Sequence, residues 1–518
     1  MTNKKTQETS VIYKKVLTCA VAVCAGAGTI VACGGDSDAL PVGSGTIVQN
    51  ATVVDTRDGS LQSGMNLVLA DGQIKTITSQ ALTPTGNGVQ VVDATGKYVV
   101  PGFLDMHTHA AGTLAASPND FPVLLANGVT GVREAGGSPA LIQAVRQQNA
   151  KVVAGTADAP EVLMMPSTIF AGQSPTDAGA RQFVRDRLAE GADFIKIVGG
   201  APAAFLAAID EAKKQGSSAA GHLPVPVRAT DASNAGYRSF EHLGSGIGVL
   251  LDCAADEAAI RAGALATPVP PPVSVINPRI YDGNPYAPFY QRVIDTYDAT
   301  KCATLAKTFV QNDSWQTVTL IRLRTSDFGA DPIYTNDANL KYVDKARVAS
   351  WRTVANQFAT TVSASSQATL QAYYALQLKA VKLMKDNGVK ILAGSDLGGG
   401  WVIPGFGLHQ EFRELAAAGL TPLEVLQATT LSGARFVGRE ATMGTVEQGK
   451  NADLVLLDAN PIADVANLDR VNGVFLRGRY YSRAALDKLL SDVAAGYAAQ
   501  PEATAQSVTA DPTHPPHY

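Results

Sequence analysis

Eight apolar, strand-like segments alternate with helix-like stretches through the middle of the chain, and this alternation restricts the fold more than any other feature. They fall near residues 98–105, 129–133, 151–154, 192–198, 217–222, 237–241, 316–323 and 389–395. Phe194-Ile195-Lys196-Ile197-Val198, for example, runs into a helical stretch at 202–215. Parallel neighbours need a crossover long enough to hold a helix, so this rhythm implies βα units and a parallel sheet. Eight units predict an α/β fold with a (β/α)8 TIM barrel over 100–439, with its chemistry at the C-terminal strand ends. An open doubly wound sheet is the alternative.

The texture differs outside that core. From Gly45 to about Val99, short β-type runs such as Asn66-Leu67-Val68-Leu69 are separated by turn residues such as Asp71-Gly72, the pattern of a small antiparallel sheet. Similar runs return at 452–457 and 471–476, so 45–99 and 440–482 are expected to build one small β-sandwich domain from both chain ends. Residues 250–315 and 325–370 read as irregular, rich in Pro, Asn, Asp and Tyr, and are expected to form a lid or substrate wall. A tail over 497–518, Ala, Thr and Pro rich, is expected to be disordered, with His514 and His517 solvated.

Residues 1–33 form another segment: Lys4, Lys5, Lys14 and Lys15, then an apolar stretch from Val16 to Ala32. That stretch is shorter than the roughly 20 residues a spanning helix needs and reads as an export signal. Its end, Ile30-Val31-Ala32-Cys33 before Gly34-Gly35, resembles a bacterial lipoprotein signal, which implies lipidation of Cys33, a tether at 34–44 and an outer-membrane or periplasmic location. A simple secretory signal is the alternative. Cys253 and Cys302 then remain as an even pair in an oxidising compartment, either bonded or free. A net charge of −4 without a basic run gives no case for nucleic acid, and no Gly-rich phosphate loop supports a nucleotide enzyme. A small-molecule substrate is left, with membrane contact only through the lipid and a homo-oligomer open.

Five of the seven histidines, His107, His109, His222, His242 and His409, fall at or after predicted strand ends or in a loop. His107 and His109 are two apart on one strand, so their imidazoles face the same side, as a chelating pair for zinc would. Their setting, Val99-Val100-Pro101-Gly102-Phe103-Leu104-Asp105-Met106-His107-Thr108-His109, resembles the amidohydrolase superfamily, and specifically its imidazolonepropionase- and prolidase-like members. The resemblance runs from about 45 to 480. It takes in Gly131-Val132-Arg133-Glu134, Asp193 to Ile197, Gly221-His222, Ser239-Phe240-Glu241-His242, Ala393-Gly394-Ser395-Asp396 and Gly444 to Leu454.

The resemblance implies two divalent ions, zinc with manganese or iron as alternatives. His107, His109 and Asp396 would hold one ion, and His222 and His242 the other. Lys196, whose free pKa is about 10.4, would carry carbon dioxide as a carbamate and bridge the pair; a salt-bridged lysine is the plainer alternative. A hydroxide bridging the ions would be the nucleophile, and Asp396 the general acid and base. His409, Tyr237 and Arg133 are candidates to touch substrate. Phe170-Ala171-Gly172-Gln173-Ser174 departs from the Gly-Gly-His-type segment of many relatives, which leaves the substrate open. Hydrolysis of an amide, peptide or cyclic amide bond leads. An esterase or lactonase, and an inactive binding lipoprotein, are the other readings.

Overall fold

The structure, a computed structural model, describes residues 39–267, 269 and 276–502. The export segment, Cys33, residues 34–38 of the tether and residues 503–518 of the tail lie outside the described residues.

Eight principal parallel strands follow one another with helices between them: Phe103–Thr108, Val129–Glu134, Glu161–Met164, Ile195–Gly199, Ala219–Gly221, Ser239–Glu241, Trp315–Thr317 and Ile391–Leu392. The first three form one sheet; the other five, with the two-residue strand Phe170–Ala171 at the edge, form a second. Backbone hydrogen bonds bridge both gaps. Asp193 N donates to Met165 O at 2.9 Å, and Met106 N donates to Ala393 O at 2.9 Å. Asp396 N to His107 O at 2.8 Å and His109 N to Leu397 O at 2.9 Å continue the second seam. Segment eight therefore lies beside segment one.

Several sequence expectations need correction. The apolar run at 98–105 is two strands: Tyr98–Pro101 belongs to the small sheet and Phe103–Thr108 to the parallel set. Gly102 separates them where a Cβ would fall 2.0 Å from Thr130 Oγ1, a contact only glycine permits. The third strand is Glu161–Met164; residues 151–154 instead end the helix Pro139–Val153. The run at 316–323 divides at Thr319, whose φ of 43° turns the chain from a strand into the helix Leu320–Asp327. Residues 40–42 of the tether pair in parallel with Leu82–Pro84, and the helix Arg483–Ala498 covers the start of the presumed tail.

The stretch read as irregular is mostly helical: Glu257–Ala266, Arg279–Asp295, Ala299–Gln311, Lys345–Thr361 and Ala364–Asp386. Its polar residues are helix caps. Asp298 accepts from Thr300 N and Lys301 N, Asp344 from Ala346 N and Arg347 N, and Ser363 from Ser366 N. Cys253 and Cys302 are joined by a disulfide between the turn Gly248–Cys253 and the helix Ala299–Gln311.

A separate sheet runs in the order Arg479–Ser482, Val471–Leu476, Leu454–Leu457, Tyr98–Pro101, Thr46–Val54, Leu61–Ala70, Gln73–Thr78, with Gln90–Asp93 also on Thr46–Val54. It is mixed rather than antiparallel, because Tyr98–Pro101 and Gln90–Asp93 both run parallel to Thr46–Val54. Its core is Val48, Val53, Leu67, Leu69, Leu454 and Phe475 with their neighbours. Among the described residues, no helix is long and apolar enough to cross a membrane.

Candidate metal centre

The C-terminal ends of the parallel strands frame a cavity of about 230 Å³. His107, His109, Lys196, His222, His242 and Asp396 all line it, so the structure brings the six together. His107 Nε2 and His109 Nε2 lie 3.1 and 3.3 Å from Asp396 Oδ1, and His242 Nε2 lies 4.0 Å from Asp396 Oδ2. Among the described residues, two donor groups are compact enough for an ion: His107, His109 and Asp396; and His107, Glu241 and His242. His222 lines the same cavity, its ring 5.1 Å from that of His242, but stands outside both groups.

Glu241 was missed as a site residue. It is fully buried and takes cations on both oxygens: Arg133 Nη2 donates to Oε1 at 2.6 Å, and Lys196 Nζ donates to Oε2. His107 Nδ1 is 3.6 Å from Oε2. The signal lay in the sequence, one residue before His242.

The donors suit a borderline metal. Burial, helped by the charge of Lys196, pushes His107 down to about 4 and His222 down to about 3, and burial holds His242 well below its usual value. Neutral imidazoles are the ligating form. Neither ring nitrogen of His107 makes a well-aligned hydrogen bond with any described residue, although carboxylate oxygens stand at 3.1 and 3.6 Å. A buried imidazole without partners is expensive unless something else coordinates it. His242 Nδ1 faces Thr319 Oγ1 at 2.5 Å, the outer contact that fixes a ligand ring. His242 and Asp396 both hold left-handed backbone, φ 55° and 57°, conformations that cost an L-residue free energy and cluster at functional sites.

Part of the far wall of the cavity comes from the region read as a lid or substrate wall, and part from the run at 316–323 read as a strand. Pro278, Arg279 and Asp282 approach at the start of the helix Arg279–Asp295, and Arg322, Leu323 and Ser326 from the helix Leu320–Asp327. Arg279 is committed to Asp327 at 2.6 Å and Asp282 at 3.1 Å.

The three substrate candidates are elsewhere. Arg133 lies beneath the site, its Nε donating to Met106 O at 2.7 Å and its guanidinium lying against Phe194 and Phe436. Tyr237 is buried behind the fifth strand, with its hydroxyl donating to His222 O at 3.0 Å. His409 is inside the helix Phe406–Ala417, with Nε2 at 2.9 Å from Asn127 O and Nδ1 at 2.9 Å from Asp469 Oδ1. None of them lines the cavity, because each polar end is already turned to a backbone carbonyl or a carboxylate.

Comparison with known proteins bears on the fold. Models of the amidohydrolase family match residues 329–480 and 90–153. A solved bottromycin amidohydrolase superposes with a TM-score of 0.65 at 21% identity, covering 88% of this chain and 92% of its own. A Xaa-Pro dipeptidase with methionine in its active site gives 0.57 at 17% identity, over 85% and 100%. The chain shares its fold with these two structures. Curated relatives match only in short segments. An N-acyl-D-aspartate deacylase from Alcaligenes xylosoxydans xylosoxydans is 36% identical over 95 residues, 18% of either chain. An imidazolonepropionase from Shouchella clausii is 55% identical over 40 residues, 8% of this chain and 9% of its own. The chain thus spans less than a fifth of the curated relatives it matches.

Proposed function

We propose that this chain is a metal-dependent hydrolase of amide, peptide or cyclic amide C–N bonds. The observation that carries the reading is the convergence of His107, His109, Lys196, His222, His242 and Asp396 on one cavity. We read the two parallel sheets, joined by backbone hydrogen bonds at both gaps, as one closed (β/α)8 barrel. His107, His109 and Asp396 would hold one divalent ion, and His222 and His242 a second, with zinc best suited to the donors and manganese or iron as alternatives. Bound there, the ions would lower the pKa of water and polarise the scissile carbonyl.

The protein's own residues supply the rest. Asp396 accepts a proton from the attacking water and delivers it to the leaving nitrogen. The helices 279–295 and 320–327 wall the cavity and orient substrate. Lys196 is read as carrying a carbamate when both ions are bound. It pairs with Glu241, so carboxylation, which takes the neutral amine and releases a proton, would set two anions side by side; Arg133 already offsets Glu241, and cations in the cavity would offset the carbamate. Loading with metal and carbon dioxide should therefore be concerted. Export with a lipid on Cys33 belongs to the same proposal, and intact mass of the mature protein tests it.

The deciding experiment is metal analysis of protein purified without chelator, followed by a screen of dipeptides, N-acyl amino acids, cyclic amides, esters and lactones with zinc or manganese and bicarbonate. Two ions per chain and C–N hydrolysis are expected. Active protein without bound ion would refute the reading, and loaded protein inert across the panel would favour a binding protein on the same fold. Turnover of esters or lactones alone would move the chemistry to C–O bonds.

A further inference from the structure

Among the described residues, Arg322 is the cation of the insertion helices that touches a proposed ligand. Its Nε donates to Asp396 Oδ2 at 3.0 Å, while Nη1 donates to Ile276 O at 2.8 Å and to Ser326 Oγ at 3.0 Å. The other carboxylate oxygen, Oδ1, is the one facing His107 and His109. The backbone under Arg322 is fixed as well. Its N–H donates to Thr319 O at 2.9 Å, and the buried Glu411 carboxylate accepts from Ile321 N at 2.7 Å, anchoring the first turn of the helix. The opposing loop leaves room for the side chain: a Cβ on Gly399 would fall 2.6 Å from Arg322 Cδ and Nε and 2.9 Å from Cζ.

We infer that Arg322 is a positioning residue that locks the Asp396 carboxylate so that Oδ1 faces the His107–His109 pair. The inference rests on the proposed metal-dependent function and adds to it a residue from outside the parallel strands. Without the guanidinium, Asp396 would be free to turn about χ2 and present either oxygen, or neither, to the pair. Residues that hold a ligating carboxylate typically contribute 10–100-fold to metal affinity. Because the same helix starts at Thr319, which holds His242, one short element would orient ligands of both ions.

The test is zinc titration of metal-free protein by calorimetry, with cobalt absorption reporting coordination geometry. The variants are Arg322→Met, Arg322→Lys and Gly399→Ala. The last displaces the guanidinium without removing it, and it remains informative if Arg322→Met does not fold. Binding of one of the two ions should weaken by about 10–100-fold in Arg322→Met and Gly399→Ala, and by less in Arg322→Lys, with the other ion nearly unaffected. A purely structural role would weaken both ions together and lower the unfolding midpoint instead, which would overturn the assignment. Variants that bind both ions as tightly as the wild type, or more tightly, would show Arg322 to be a neutral bystander or a competitor of the metal, and would also overturn it. A wild type that binds no zinc would instead remove the proposed function, and this inference with it.

Discussion

Replacing Lys196 by methionine in the metal-free protein tests the charge balance beneath the site. Lys196 and Glu241 are 2% and 0% exposed, so solvent screens their attraction little. At an effective dielectric near 20, opposite charges about 3 Å apart attract by about 5 kcal/mol. Two effects reduce the net loss: methionine no longer has to bury an ammonium, and Arg133 still holds the other oxygen of Glu241 at 2.6 Å. Removing one partner of a buried pair typically costs about 3–5 kcal/mol, and the remaining arginine argues for the lower end, about 3 kcal/mol. Equilibrium urea unfolding followed by far-UV circular dichroism measures it. Lys214→Met is the control, because Lys214 and Asp210 are 60% and 43% exposed and such pairs contribute about 0–1 kcal/mol. A Lys196→Met midpoint no lower than that of the control would refute the buried ion pair.

Further outcomes follow from other sites. His409→Ala should lower stability by about 1–3 kcal/mol, chiefly by leaving Asn127 O without its partner while Arg413 still holds Asp469, yet leave metal stoichiometry unchanged; loss of an ion would contradict its placement away from the cavity. Burial pushes the Glu134 carboxyl up to about 8 from an ordinary 4.5, against hydrogen bonds from Thr108 and Ala111 N. Such a group stabilises the fold fully below pH 4.5, and that contribution is lost as pH rises through 8. Metal-free Glu134→Gln should therefore gain on the wild type between these pH values in urea unfolding, and a constant difference would count against the buried carboxyl. Replacing both Cys253 and Cys302 by alanine frees a loop with a sequence separation of 49, a destabilisation of about 4 kcal/mol on chain-entropy grounds. Indistinguishable midpoints for oxidised wild type and double variant would contradict it.

The residues legible in the sequence were those whose meaning is local. His107 and His109 declare themselves through strand alternation, and Lys196, His222, His242 and Asp396 through short motifs at strand ends. Glu241 escaped because neighbours on a strand point to opposite faces, so a ligand at 242 argues against one at 241. The strand ends at Glu241, however, and the left-handed turn at His242 lets both side chains approach His107. Arg322 was hidden because Val318 to Leu323 reads as a strand until the turn at Thr319 is known. The helices between 257 and 386 were concealed by their own caps, since Asp and Ser at helix starts look like loop residues. Prolines 285 and 288 inside the helix Arg279–Asp295 deepened that impression.

The mixed sheet has a consequence for how the chain is made. Leu454 pairs with Pro101, and Leu457 with Tyr98, so the amino-terminal strands keep an unpaired edge until almost the whole polypeptide has been synthesised. Contacts this distant in sequence form slowly, and an open strand edge waiting for its partner is a place where chains stick to one another. A chain shortened before residue 454 would keep every proposed metal ligand and lose the strand that covers that edge, so its failure would be one of solubility before it was one of chemistry.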